Sequence, residues 1–346
     1  MTTPPAPPAS QRTAPARTPD AVHDVVVVGG GAAGLAAAVV LARSLRTVAV
    51  VDAGAPRNAP AAGVHNLLGR EGTPPRDLVA AGRREAEGYG AEVVADRAVA
   101  ARRTADGFAV DLACGGTLHA RRLLLATGLV DELPDVPGLH ERWGRDVLHC
   151  PFCHGWEVRG TRVGVLATSP AAVHQALLMR ALTPDVTLLR HAGGPLTAED
   201  EERLAALDVR TVDGPVVGLD VVDDALRGVR TADGGAVALD ALVVAPRFVA
   251  RGALYEQLGG TLVTTPQGTH VPTAPGGRTD LPGVWAAGNV GDLSATVAVA
   301  AAAGMQAGAA LHGDLVTQDA DAAVAARRAA GRSVPPAGRE VVSPTG

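Results

Sequence analysis

Lysine is absent from this chain: all 31 basic residues are arginine. That removes every chemistry resting on a lysine amine, including a Schiff base with pyridoxal phosphate and the phosphate-gripping lysine of a Walker loop. Cysteine is scarce, with three in 346 residues, so this is no disulfide-stapled secreted scaffold. A charge excess of one sign is missing too. The net charge is −5, and the arginines are scattered among Asp and Glu without the basic stripe that tracks a phosphate backbone, which argues against nucleic acid as a partner. Long apolar runs are also lacking. Ala295 to Leu311, the longest nearly uncharged stretch, is short for a membrane span and mostly Ala and Gly, so it reads as a closely packed internal helix and not a membrane anchor. Residues 1–21, rich in Pro, Ala and Thr, contain no apolar signal-peptide segment and read as a disordered tail, which makes the cytoplasm the expected location.

The length suits about two domains with sizeable cores. Asp24 to Gly34 holds a four-valine strand running into Gly29-x-Gly31-x-x-Gly34, followed by a helical stretch from Leu35 to Ser44 and a second strand, Thr47 to Val51, that ends in Asp52. Each part is where a dinucleotide-binding βαβ unit needs it. Gly29 permits the tight turn, Gly31 lets backbone approach a pyrophosphate, Gly34 allows close helix–strand packing, and Asp52 can accept hydrogen bonds from ribose hydroxyls. Pro74 to Tyr89 then reads as helix, Val99 to Ala120 as a short meander, and Leu123 to Leu125 as a strand ending at Ala126-Thr127-Gly128. Cys114, isolated in the meander, reads as a small core hydrophobe.

The layout then repeats. Thr161 to Leu166, Ala171 to Leu182 and Val186 to Leu189 form a second strand–helix–strand unit, and the chain returns toward the first near Ala245 to Val249. In place of three glycines the second unit has Ala167-Thr168-Ser169-Pro170-Ala171-Ala172, so Ala167 and Ser169 put side chains where a nucleotide phosphate needs bare backbone. Past its second strand stands Arg190, one arginine where a 2′-phosphate benefits from a cluster. A last small-residue loop, Ala287-Gly288-Asn289, precedes the Ala/Gly helix, Ser294 to Leu311; beyond Asp319 the composition suggests a mobile tail.

Between the two units lies His149-Cys150-Pro151-Phe152-Cys153-His154-Gly155-Trp156. Two cysteines separated by two residues can cycle between dithiol and disulfide, and a helix starting at the first favours its thiolate. His149 and His154 would complete four potential zinc ligands, but a structural zinc site draws two separated pairs and no second pair occurs at finger spacing, so no metal is expected. Trp143, Phe152 and Trp156 shape the pocket or the core.

Taken in order, these motifs resemble the low-molecular-weight thioredoxin reductase family of FAD-dependent pyridine-nucleotide-disulfide oxidoreductases, over roughly Asp24 to Leu315. The resemblance implies an α/β fold of two Rossmann-like βαβ domains: an FAD-binding domain, residues 22–136 and 247–318, interrupted by a smaller NAD(P)-binding-like domain, 137–246, that carries the cysteines, with the tail at 319–346. It implies FAD on the first unit, with Gly29, Gly31, Gly34 and Asp52 on the ADP half, Ala126, Thr127 and Gly128 on a supporting turn, and Gly288 and Asn289 near the ribitol and flavin. The family commonly has Asp where Asn289 stands.

The likeness narrows to the dithiol oxidases that close disulfides in natural products. These share Cys-x-x-Cys-His-Gly, whereas thioredoxin reductases typically carry Asp where His154 stands here. They tend to have an eroded NADPH site, which fits Ala167 and Ser169, and to pass electrons to oxygen. Pro56-Arg57-Asn58 and Val64-His65-Asn66-Leu67 resemble the flavin-side loop of this subgroup. The implied enzyme oxidises a dithiol at the Cys150–Cys153 disulfide, with Cys153 beside the flavin. His154, whose ordinary pKa lies near neutrality, is the natural candidate for the general base, the alternative being that it only caps or packs near the helix, and His149 reads as a structural neighbour. A small-molecule dithiol or a thioredoxin-like protein is the implied substrate and a homodimer the implied assembly. Two alternatives stay open: an NADPH-dependent thioredoxin reductase, and a flavin-bound redox sensor.

Overall fold

The computed structural model describes residues 22–330. The valine-rich strand Val22–Val28 lies in the middle of a parallel sheet, between Val48–Val51 on one side and Thr117–Leu125 on the other, with Glu92–Val94 outermost. Both faces of the strand are covered, which is why it is a run of valines and not an alternation. Val25, Val26 and Val27 are wholly inaccessible, each contributing about 1.5–3 kcal/mol by the usual scale for a buried aliphatic side chain.

The long strand Thr117–Leu125 has a divided edge. Its first half pairs antiparallel with Gly107–Leu112, itself paired with Ala98–Thr104, while its second half takes Val284–Ala286 as a parallel neighbour, Val284 opposite Leu123 and Ala286 opposite Leu125. The central sheet is therefore completed by a strand from late in the chain. Two helices, Ala32–Arg43 and Val297–Ala329, pack on each other over one face. They meet backbone to backbone: a Cβ added at Gly304 would lie 1.9 Å from the Ala33 carbonyl oxygen, and one at Gly308 3.0 Å from that of Ala37.

The intervening chain builds its own five-stranded parallel sheet, in the order Arg210–Val212, Val186–Leu189, Val163–Leu166, Ala241–Val244, Val147–Leu148. Helix Ala172–Arg180 packs on it. The two segments that cross between the sheets, Leu129–Glu132 and Arg247–Ala250, pair antiparallel with each other.

Two local readings change. Cys114 is exposed, because Gly115 and Gly116, at φ 96° and 89°, turn the chain there and no core lies over the turn. The C-terminal helix runs on through the stretch assigned to a mobile tail, as far as Ala329. Asp319 ties it down, accepting from Arg46 at 2.7 Å and from Arg121. Residues 1–21 and 331–346, both expected as tails, lie outside the described residues.

Candidate functional site

A cavity of ≈ 2050 Å³ runs from the glycine turn of the first unit, past the cysteines, to the corresponding turn of the second. At its near end Gly29 has φ 110°, and an added Cβ would lie 2.2 Å from the carbonyl oxygen of Ala126. The Gly29 N–H donates to Val51 and that of Ala126 to Val28, both at 2.8 Å, so the turn and the 126–128 segment are pinned side by side. A Cβ on Gly34 would fall 1.9 Å from the Gly29 carbonyl oxygen, which is the close packing its position in the motif requires. Gly31 differs: it caps helix Ala32–Arg43 at φ −82°, and an added Cβ would meet no protein atom within 4 Å. Its open face borders the cavity at a helix N-terminus, where backbone N–H groups and the helix dipole favour a phosphate. Asp52 stands over the turn, its carboxyl carbon 2.5 Å from where a Gly30 Cβ would be, and also lines the cavity.

Further in, Thr127 Oγ1 and the Arg251 N–H close the Ala126-Thr127-Gly128 turn onto the second crossover segment, by bonds of 2.8 Å to the Arg251 carbonyl and 2.9 Å to that of Gly128. Gly288 has φ 75° with the methyl of Ala33 close by. Asn289 donates to the carbonyls of Asp292 and Ala295 at 3.0 and 2.9 Å and accepts from Arg57 at 3.5 Å. Asn58 lines the same wall. Arg57 also makes a two-pronged pair with Asp131, at 2.7 and 2.6 Å, and lies over the ring of Phe248 at 5.3 Å. Asp131 and Phe248 sit opposite each other on the two crossover segments. One guanidinium thus bridges a loop of the first domain and both crossings, and neither partner carries a local sequence signal.

Cys150 is the N-cap of the four-residue helix Pro151–His154, as the spacing suggested, with proline at the first helical position. The Cys153 thiol and the Phe152 and Cys153 N–H groups, with Arg57 nearby, bring Cys150 down to about 6 against the resistance of burial. Cys153 goes the other way, because its proton is held by the Cys150 sulfur and burial opposes a second thiolate. The reduced pair is therefore one thiolate and one thiol at neutral pH. The helix is held from outside by Asn66, whose side-chain amide donates to the Phe152 carbonyl at 2.7 Å. Phe152 and Trp156 stand out into solvent, 71% and 68% exposed.

The two histidines flanking this helix are placed differently. Both ring nitrogens of His154 are sealed from solvent and have no hydrogen-bond partner, and burial pushes its pKa down despite the opposing charge of Glu157. The His149 ring also lines the cavity, and its Nδ1 lies 3.2 Å from the Val244 carbonyl oxygen. Burial, with Arg57 in support, depresses its pKa as well.

At the far end the second unit departs from the first in geometry, not only in composition. The first helix begins at Ala32, four residues past the end of its strand at Val28, whereas the second begins at Ala172, six past Leu166. The first bonds past Ser169 are turn-like, from the Ala172 N–H to the Ser169 carbonyl, and Pro170 has no N–H to offer. The methyl of Ala167 is buried against Gly193, where an added Cβ would be 2.5 Å away. Arg190 is paired with Asp213 at 2.9 Å. Among the described residues no group of three or more His, Cys, Asp and Glu could hold a metal ion, and no helix is long and apolar enough to cross a membrane.

Two dinucleotide-type sheets with a cysteine pair in the cleft between them define the class. The chain belongs to the pyridine nucleotide-disulphide oxidoreductase family, whose model matches residues 23–307; the family is flavin-dependent. Thioredoxin reductase aclD of Aspergillus oryzae is 33% identical over 206 residues, covering 57% of this chain and 65% of its own length. The chain thus spans just under two thirds of that curated relative. The crystal structure of HlmI superposes with a TM-score of 0.84 at 46% identity, over 89% of this chain and 97% of that one. An oxidoreductase from Agrobacterium tumefaciens gives a TM-score of 0.81 at 35% identity, over 86% of this chain and 99% of its own.

Proposed function

We propose that this chain is an FAD-dependent enzyme that oxidises a dithiol to a disulfide at Cys150 and Cys153. What carries the reading is the asymmetry of the two nucleotide units: Gly31 opens bare backbone to the cavity, whereas the second unit places Ser169 and Pro170 at the start of a helix that begins late. The first site fits FAD. Gly29, Gly31 and Gly34 leave room for its pyrophosphate, Asp52 suits the ribose, and Gly288 and Asn289, with Arg57 and Asn58 across the cavity, line the path toward the cysteines. The chemistry FAD supplies when bound is acceptance of the electron pair from the cysteines and its transfer to oxygen or another acceptor.

The cysteines do the rest. A substrate thiol gives its proton to a base in the cavity, and the thiolate attacks Cys150 of the oxidised pair. The S–S bond breaks and its electrons leave on Cys153, which takes the proton of the second substrate thiol; that second sulfur then attacks the first, releasing the substrate disulfide and Cys150 as thiolate. Two electrons pass from substrate to protein. The product is a Cys150 thiolate beside a Cys153 thiol, the distribution of protons that their surroundings favour.

The Aspergillus relative's being a thioredoxin reductase by name favours a second reading, an NADPH-dependent disulfide reductase. Direction of electron flow separates the two. In an anaerobic stopped-flow experiment dithiothreitol should bleach the yellow holoenzyme quickly, and NADPH slowly, because Pro170 withholds an amide at the phosphate turn and Arg190 is already paired. Fast, saturable bleaching by NADPH, with onward reduction of a disulfide, would establish the reductase instead.

A further inference from the structure

Proton transfer from the substrate thiol needs a base with a free lone pair that the substrate can reach, and the two histidines flanking the cysteines stand nearest in the chain. His154 offers neither nitrogen to the cavity, since both are sealed in the protein. His149 is built differently. Two groups approach Nδ1: the Val244 carbonyl oxygen at 3.2 Å, which can only accept, and the Gln175 amide nitrogen at 3.5 Å, which can only donate. The Val244 contact is the shorter and the Gln175 amide already donates to the His149 carbonyl at 2.7 Å, so the geometry favours the hydrogen on Nδ1 and the lone pair on Nε2. Nε2 has no protein partner and, unlike the nitrogens of His154, is not sealed from solvent.

The ring is also held in place. Phe248 meets it edge-on, with centroids 5.2 Å apart, and the buried amide of Gln175 donates to the His149 carbonyl at 2.7 Å. Gln175 lies on helix Ala172–Arg180, so the second unit's helix anchors the residue just before Cys150. The charged groups facing His149 are Arg57, which disfavours the imidazolium, and Asp131, which favours it; the other titratable groups in the cavity wall beside it are Cys150, Cys153 and His154.

We propose that His149 Nε2, and not His154, accepts the proton of the attacking substrate thiol. The assignment rests on the dithiol-oxidation reading of the same cysteines. In the first step the proton moves from substrate sulfur to Nε2, the sulfur–sulfur bond to Cys150 forms, and the Cys150–Cys153 bond breaks with its electron pair left on Cys153. The imidazolium then returns its proton to water. With the hydrogen on Nδ1, the lone pair is left on Nε2, the nitrogen that is not sealed from solvent.

The test is the opening of the Cys150–Cys153 disulfide by dithiothreitol in the oxidised holoenzyme, followed by quenched labelling of the freed thiols across a pH series. His149→Gln retains an amide that can bond Val244. It should slow opening by about 10²–10⁴-fold near neutral pH, the usual worth of a positioned base. At a pH where dithiothreitol is itself mostly thiolate, it should recover to the unsubstituted rate. His154→Gln should match the unsubstituted protein throughout. Phe248→Leu, which loosens the ring without removing it, should give a smaller neutral-pH loss with the same recovery, and serves if His149→Gln folds poorly. A neutral-pH rate unchanged in His149→Gln would overturn the assignment. So would a loss that persists equally at high pH, or a pH-rescued loss in His154→Gln. Failure of dithiothreitol to open the disulfide of the unsubstituted protein at any pH would bring down the dithiol-oxidation reading itself, and this assignment with it.

Discussion

Cys150→Ser should cut turnover with a dithiol by on the order of 10⁴–10⁶-fold, the scale reached when a nucleophile acting as one unit with its partner is removed. Cys153→Ser should be as inactive in turnover but different in chemistry. It retains the sulfur that substrate attacks, and it should trap a mixed disulfide detectable by mass. In the reduced protein the leading cause of the low Cys150 pKa, about 6, is the hydrogen bond from the Cys153 thiol. The thiolate fraction therefore rises as pH rises through about 6, and alkylation of Cys150 by iodoacetamide should show its midpoint there. Cys153→Ala, which leaves no donor in place of the thiol where serine would leave a hydroxyl, should move the midpoint up toward the ordinary cysteine value of about 8.5. A midpoint unmoved by the substitution would show that the helix amides alone set the acidity. A Cys150→Ser protein that still turns over would remove the pair from the mechanism.

Gly31→Val and Gly29→Val should fail in opposite ways. At Gly31 the backbone, φ −82°, suits any residue and an added Cβ meets no protein atom. Gly31→Val should therefore melt within a degree or two of the unsubstituted apoprotein, yet lose nearly all its FAD, because the new side chain occupies the place left for phosphate. At Gly29 the Cβ would fall 2.2 Å from a carbonyl oxygen with φ at 110°. The backbone strain costs about 1–3 kcal/mol, and the clash adds about as much as an overpacked core site. Gly29→Val should accordingly lose thermal stability even without cofactor. Apoprotein melting curves and the nucleotide released per chain on heating measure the two effects separately. Full FAD occupancy in Gly31→Val would sink the assignment of the phosphate site.

The parts of this fold that sequence makes legible are those in which a short run states its own environment. Val25 to Val28 is apolar throughout because both faces of its sheet are covered, Val25 and Val27 in one core and Val26 and Val28 in another, and Gly29, Gly31 and Gly34 each answer a local geometric demand. The cysteine helix is legible for the same reason, its cap and its proline standing within four residues. What sequence does not show depends on partners far along the chain. Asp131 reads as one more acidic residue until Arg57 is brought against it, and the reach of the last helix depends on Arg46 and Arg121 meeting Asp319. The histidines are the sharpest case. His154 and His149 flank the same motif, and what distinguishes them, the Val244 carbonyl and Phe248 at His149 and the sealing of the His154 ring, comes from chain far from the motif or from folding itself. Cys114 misleads in the other direction, since a lone apolar-looking residue carries no mark of the turn that exposes it.

The insertion of Val284–Ala286 beside Leu123–Leu125 also sets the order in which the molecule is finished. As the chain leaves the ribosome, the first nucleotide unit emerges first but lacks both the strand that completes its sheet and the helix that covers Ala33 and Ala37. All five strands of the second sheet, from Val147 to Val244, are made before those pieces arrive. The unit born second is therefore the one that can close first, and the older half waits with an open sheet edge until the late strand reaches it. Ordering that loop is a long-range event, slow by the entropy of closure. Over that interval the unpaired edge at Leu123–Leu125 is open to the association that exposed strand edges invite.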